Sequence, residues 1–248
     1  EIENLEDLKS KIDNFSGLKV DAESIYAGRL NTNNTEEKAF SISNKCEIGT
    51  ITLDDPIQIK KALEKDTLDE WKEIEVNERA KILNLIADDL ENNPYELIYF
   101  LINEAGKTIQ NAIDEIREAV DFLRYYSSRS IELFNNTELN GPTGEDNQMS
   151  FTPKGTFLCI SPWNFPVAIL IGQISAALSC GNRVIVKPSE YSSILGYLVV
   201  KKFHDHGVPI SALSLILGDG LYGDFLTKIS PLHGVAFTGS LPLSLIHI

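Results

Sequence analysis

Apolar positions over Glu78–Leu90 recur at Ala80, Ile82, Leu83, Leu85, Ile86 and Leu90. That spacing predicts an amphipathic helix. A longer run, Thr108 to Phe134, repeats the pattern through Ile109, Ala112, Ile113, Ile116, Ala119, Val120 and Leu123. The charged pair Glu115 and Arg117 inside it reads as a solvated face without a role. Pro56 opens a third helical pattern that runs to about Leu68. Upstream, a short charged helix pattern from Leu5 to Phe15 gives way to the polar stretch Asn31–Glu37. Residues 1–35 therefore read as a connector from a preceding domain. Residues 40–53 hold short β-like runs around Gly49. Asn135–Met149 is a break rich in Asn, Gly and Pro, and Met149–Phe151 reads as extended.

From residue 155 the pattern becomes βα alternation. Strands are expected at about 156–160, 182–187, 213–217 and 233–237. Helices are expected at about 166–180, 191–206 and 221–229. Strands joined by helices imply a parallel α/β sheet with right-handed crossovers. Ligand loops at its carboxyl edge would make it a dinucleotide-binding architecture.

Composition narrows the function more than the fold. The net charge of -14 argues against a nucleic-acid or anionic-membrane surface. With 43% hydrophobic residues the 248-residue chain can bury a sizeable core. Cys46, Cys159 and Cys180 show no paired spacing, which fits a reducing compartment. Cys159 and Cys180 read as small core residues. His204 and His206 lack helical ligand spacing, and no metal site is expected. Phe165–Cys180 is apolar but too short to span a membrane, and no secretory signal is visible.

Candidate chemistry gathers at the expected strand ends. Cys159-Ile160-Ser161-Pro162-Trp163-Asn164-Phe165-Pro166 runs from a strand into a Pro-bounded turn. The Asn164 amide is neutral; it can donate to a developing oxyanion but cannot serve as a base. For Trp163 and Phe165 the alternative is simple core packing. Lys187-Pro188-Ser189-Glu190 closes the next strand, with Ser189 placed to cap a helix. Lys187 as donor and Glu190 as acceptor suit the hydroxyls of a ribose. A carboxylate there would repel a 2′-phosphate and favour NAD over NADP. The alternative is a surface ion pair at a helix start. Gly218-Asp219-Gly220-Leu221-Tyr222-Gly223 matches G-x-G-x-x-G, yet it follows a third strand and lacks the expected downstream acid. It reads as a helix-entry turn at least as readily as a phosphate loop.

Taken together, Ser161–Pro166, Lys187–Glu190 and Phe237-Thr238-Gly239-Ser240 resemble the aldehyde dehydrogenase superfamily. Glu104-Ala105-Gly106-Lys107-Thr108, Arg117–Phe122 and Gly141–Glu145 narrow the resemblance. They look like the glutamate-semialdehyde dehydrogenase module of bifunctional proline utilisation flavoenzymes. The likeness covers most of residues 36–240. It implies amino-terminal helices plus a Rossmann-like parallel sheet, with the catalytic domain missing. It also implies an NAD-dependent oxidation of the semialdehyde derived from 1-pyrroline-5-carboxylate to glutamate, in the cytoplasm. By resemblance, Asn164 stabilises the oxyanion and Phe165 packs on the small aldehyde substrate. Ile160, Ser161, Pro162, Trp163, Lys187, Ser189, Glu190, Gly220, Phe237, Gly239 and Ser240 fall to NAD. The region around 135–151 would form a hairpin that pairs with a neighbouring subunit, making the full-length protein a homo-oligomer.

The nucleophilic Cys and the Glu that activates water belong, in that family, to segments beyond residue 240. FAD would bind only the proline dehydrogenase half, expected before Glu1. This chain alone is thus expected to be inactive. Residues 241–248 depart from the family pattern and read as a non-native tail. A stand-alone dehydrogenase, a dehydrogenase of another aldehyde, and a non-catalytic relative remain as alternatives.

Overall fold

The computed structural model describes residues 5–30, 34–65, 70–135 and 137–239. Ser240 and the 241–248 tail lie outside the described residues.

The amino-terminal half is mostly helical. Its helices are α1 (Leu5–Asp13), α2 (Pro56–Lys65), α3 (Val76–Asn92), α4 (Tyr95–Asn103) and α5 (Ile109–Phe134). A small sheet in the order β1-β3-β2 joins Val20–Glu23 (β1), Glu47–Leu53 (β3) and Thr35–Phe40 (β2). The stretch read as a connector thus contributes a helix and a strand to the packed body. Ile12, Ala22 and Tyr26 are buried there, and β1 runs parallel to β3. The antiparallel hairpin of β4 (Thr137–Leu139) and β5 (Asn147–Met149) occupies the Gly- and Pro-rich break.

The carboxyl-terminal half alternates strands with helices. They are β6 (Thr156–Ile160), α6 (Ala168–Ser179), β7 (Arg183–Lys187), α7 (Ser193–Asp205), β8 (Leu213–Leu215), α8 (Gly220–Leu226) and β9 (Gly234–Phe237). The strands form one parallel sheet in the order β8-β7-β6-β9. Side chains alternate across it, as strand geometry requires. Cys159, Val184 and Val186 join a core that includes residues of α3 to α7. Leu158, Ile160 and Ile185 face the other way, onto Ile59, Leu63 and Leu226 of α2 and α8. Apolar cover on both faces explains why these strands read as nearly continuous hydrophobic runs.

The strand order reverses at β6, whose neighbours β7 and β9 lie on opposite sides. Crossovers leave that point in both directions, so a crevice opens at the carboxyl ends of β6 and β9. Backbone bonds carry the ladder just past the strands: Ser161 N donates to Lys187 O (3.2 Å) and Thr238 N to Ile160 O (3.1 Å). Among the described residues, no helix is long and apolar enough to cross a membrane.

Candidate functional site

A cavity of about 500 Å³ lies in that crevice. It is lined by Ile160, Ser161, Pro162, Trp163, Asn164, Lys187, Ser189, Glu190, Gly220 and Gly239. Each of these was singled out from the sequence. Ile169, Tyr191 and Thr238 complete the lining. Phe237 ends β9 beneath Gly239 and is outside the lining. Phe165 turns to a neighbouring cavity, described below.

Lys187 is only 2% exposed. Its Nζ donates to Pro188 O (3.0 Å), which leaves further protons for a ligand oxygen. Burial pulls this ammonium down to about 8, opposed by the charges of Glu190 and Asp219. A surface ion pair is therefore excluded as its main role. Glu190 is exposed at the cavity rim, where it accepts from Ser189 Oγ (3.4 Å). Ser189 Oγ also accepts from Tyr191 N (3.3 Å), so it caps the short turn Glu190–Ser192, as expected of a Ser at that position.

Trp163 is 58% exposed and Phe165 is also exposed. Trp163 and Asn164 sit on a shared wall. One side faces the cavity just described; the other faces a second cavity with Phe165, Lys107, Asp114, Glu115 and Glu118. Two compartments meeting at one amide donor can hold two reactants side by side.

The G-x-G-x-x-G segment acts as a helix entry. Asp219 Oδ1 caps α8 by accepting from Leu221 N (2.9 Å). A Cβ on Gly218 would lie 2.3 Å from the Tyr222 ring, so glycine is needed for that close approach. Only Gly220 of the motif reaches the cavity.

Sequence reasoning missed the residues behind the turns. Glu115, set aside as part of a solvated face, is 1% exposed. Its Oε1 accepts from Val167 N (2.8 Å) and Ala168 N (3.2 Å), at the start of α6. Its other oxygen pairs with Lys107 Nζ, which also lies 4.0 Å from the centre of the Phe165 ring. Glu104, 7% exposed, accepts from Ile194 N (2.9 Å) and Leu195 N (2.8 Å) at the start of α7. Burial raises its carboxyl to about 7, against the pull of these two bonds. Both helix starts that would ordinarily be open to a phosphate are thus occupied from within. The signal for Glu104 and Lys107 was the Glu104–Thr108 motif itself; Glu115 lies outside it. Gly106, at φ +70°, turns the chain between α4 and α5. Thr108 Oγ1 then caps α5 by accepting from Asn111 N (3.2 Å).

Residues 31–244 match the aldehyde dehydrogenase family. The chain is 42% identical over 171 residues to the bifunctional protein PutA of Salmonella typhimurium, which covers 68% of this chain and 12% of that protein. It is 32% identical over 229 residues to the 1-pyrroline-5-carboxylate dehydrogenase of Oceanobacillus iheyensis, covering 90% and 43% of the two. Among solved structures, a Thermus 1-pyrroline-5-carboxylate dehydrogenase with bound NAD superposes with a TM-score of 0.89 at 26% identity. That match covers 98% of this chain and 48% of the Thermus one. Proline utilization A from Bdellovibrio bacteriovorus gives a TM-score of 0.90 at 26% identity, covering 98% and 26%. The chain therefore spans from about an eighth to under half the length of these relatives.

Proposed function

Because this chain belongs to the aldehyde dehydrogenase family, we propose that it is the cofactor-binding part of an NAD-dependent L-glutamate γ-semialdehyde dehydrogenase. The complete protein would oxidise the semialdehyde derived from 1-pyrroline-5-carboxylate to glutamate. The observation that carries the reading is the single cavity at the sheet's switch point, where Asn164, Lys187, Glu190 and Gly239 converge. The names of the relatives supply the substrate.

The cavity fits NAD. The buried Lys187 ammonium and the rim carboxylate of Glu190 offer a donor and an acceptor to the ribose hydroxyls. Pro162, Trp163 and Ile169 supply apolar walls. Ser161 and Ser189 add hydroxyls to the lining, and Ile160 and Gly220 complete it. Gly239 lets the backbone approach a phosphate from the β9 side, and Phe237 supports it from the strand end. Ser240 remains a proposed phosphate contact. Bound NAD would supply the hydride acceptor. The second cavity holds the aldehyde against Phe165, while the Asn164 amide NH2 donates to the oxygen that gains charge during attack.

The higher identity to the bifunctional relative than to the stand-alone one supports the bifunctional form. In that form FAD is confined to the proline dehydrogenase half, and the protein is cytoplasmic. Exposed Leu139 and Met149 on the β4–β5 hairpin support a homo-oligomer in which this hairpin meets a neighbouring subunit. Replacing Asn164 with Ala in the complete protein tests the assignment. Loss of one oxyanion donor should lower kcat roughly 100- to 1,000-fold with little change in NAD affinity. A kcat within about threefold of wild type would remove Asn164 from the chemistry.

A further inference from the structure

The ends of α6 and α7 that face the site lack caps from their own neighbourhoods. Neither Val167, before α6, nor Ser192, before α7, makes a side-chain cap bond. The caps come from 52 and 90 residues away, from Glu115 within α5 and from Glu104 at the end of α4, the two helices that meet in the Gly106 corner. We propose that this corner positions both halves of the site: Glu115, with Lys107, sets the Asn164 turn, and Glu104 sets the Lys187–Glu190 turn. The inference rests on the functional reading above, and it concerns positioning roles: Glu104 lines neither cavity, and Glu115 and Lys107, at the wall of the second one, act through the turn they hold.

The geometry is specific on each side. Glu115 grips the N–H groups of Val167 and Ala168, three and four residues beyond Asn164. Pro166, between them, has no N–H to offer an alternative anchor. Lys107 neutralises the free oxygen of Glu115 and lies against the Phe165 ring, so it holds the turn from a second direction. Glu104 uses one oxygen for Ile194 N and the other for Leu195 N, four and five residues beyond Glu190. The negative charge complements the positive end of each helix.

A serine or asparagine could cap a helix without burying an anion. Burial of Glu104 raises its carboxyl to about 7, a cost that a purely local cap would avoid. The return is reach: one rigid corner fixes two helix starts together. That corner is itself pinned, since Lys107 N donates to Leu101 O (3.0 Å) and Thr108 starts α5.

Positioning by two separate braces predicts two separate defects. Glu115→Gln and Glu104→Gln, made in the complete protein, keep side-chain size but remove charge. Four readouts are needed: kcat, NAD affinity by direct titration, thermal midpoint, and hydrogen exchange of peptides spanning 161–171 and 188–198. Glu115→Gln should lower kcat about tenfold or more, because small displacements of a reacting group are costly, and leave NAD affinity within about twofold. Its exchange should rise in 161–171 alone. Glu104→Gln should weaken NAD binding about fivefold or more and leave kcat at saturating NAD within about twofold, with exchange rising in 188–198 alone.

Lys107→Met leaves the Glu115 cap in place and should reproduce the kcat defect in milder form. If a Gln variant fails to fold, Glu104→Asp and Glu115→Asp retain charge while shortening reach, and the same split is expected. Parallel loss of kcat and NAD affinity that tracks the thermal midpoint would overturn the proposal, as would exchange rising equally in both segments or in neither. Wild-type protein that oxidises no semialdehyde would sink the functional reading instead; segment-specific exchange would still decide the braces.

Discussion

Lys187 and Glu190 carry the cofactor reading at the scale of single residues. One is a buried ammonium with protons to spare, the other a carboxylate at the rim of the same cavity. A hydrogen bond to a charged group is worth about 1.5–3 kcal/mol. Glu190→Gln should therefore weaken NAD binding roughly tenfold or more. It should also narrow the preference for NAD over NADP, because the repulsion of a 2′-phosphate is gone. Comparison of the two dissociation constants checks this, and unchanged values would falsify the ribose assignment. These residues were legible because they adjoin a strand end, a place where the chain itself announces a turn. Glu115 was not. Its neighbours in sequence are charged, so it looks solvated, and only the arrival of α6 buries it. Phe165 and Trp163 were ambiguous for the opposite reason: aromatic residues look the same in a core and at a site. In the fold both are exposed.

Elements were read well where periodicity was long. α5 begins one residue after the expected Thr108, and α3 extends slightly beyond the expected 78–90 at both ends. The four strands of the large sheet fall within two residues of their expected bounds. α4 escaped because Tyr95–Asn103 is short and almost wholly apolar, leaving no polar face to betray a period. β1 escaped because Val20-Asp21-Ala22-Glu23 is half acidic; partnership with β3 makes it a strand. Packing between elements also sets a sharp test. Gly196 lies in α7, and a Cβ there would sit 2.5 Å from Pro188 Cγ. Helix propensity alone would make Gly196→Ala stabilising by up to about 1 kcal/mol. The clash with a proline ring in the Lys187–Glu190 turn should cost more, about 1–3 kcal/mol. The net expectation is a lower thermal midpoint together with weaker NAD binding. A raised midpoint would show that the turn yields freely and that its geometry matters little.

The whole molecule brings distant motifs to one place. Ser161–Asn164, Lys187–Glu190 and Gly239 are separated along the chain, yet the order β8-β7-β6-β9 sets their strand ends side by side. Sequence alternation implied a parallel sheet, but strand order is a long-range property that no local pattern records. The helical half then acts as more than a cover, since α4 and α5 hold the starts of α6 and α7. The central claim is that this assembly serves oxidation of glutamate semialdehyde by NAD. The most direct measurement is reduction of NAD by the complete protein supplied with 1-pyrroline-5-carboxylate, beside NADP and an unrelated aliphatic aldehyde. The account predicts NADH formation with the pyrroline-derived semialdehyde, well above either control. Preference for the unrelated aldehyde, or no turnover by a protein that still binds NAD, would contradict it.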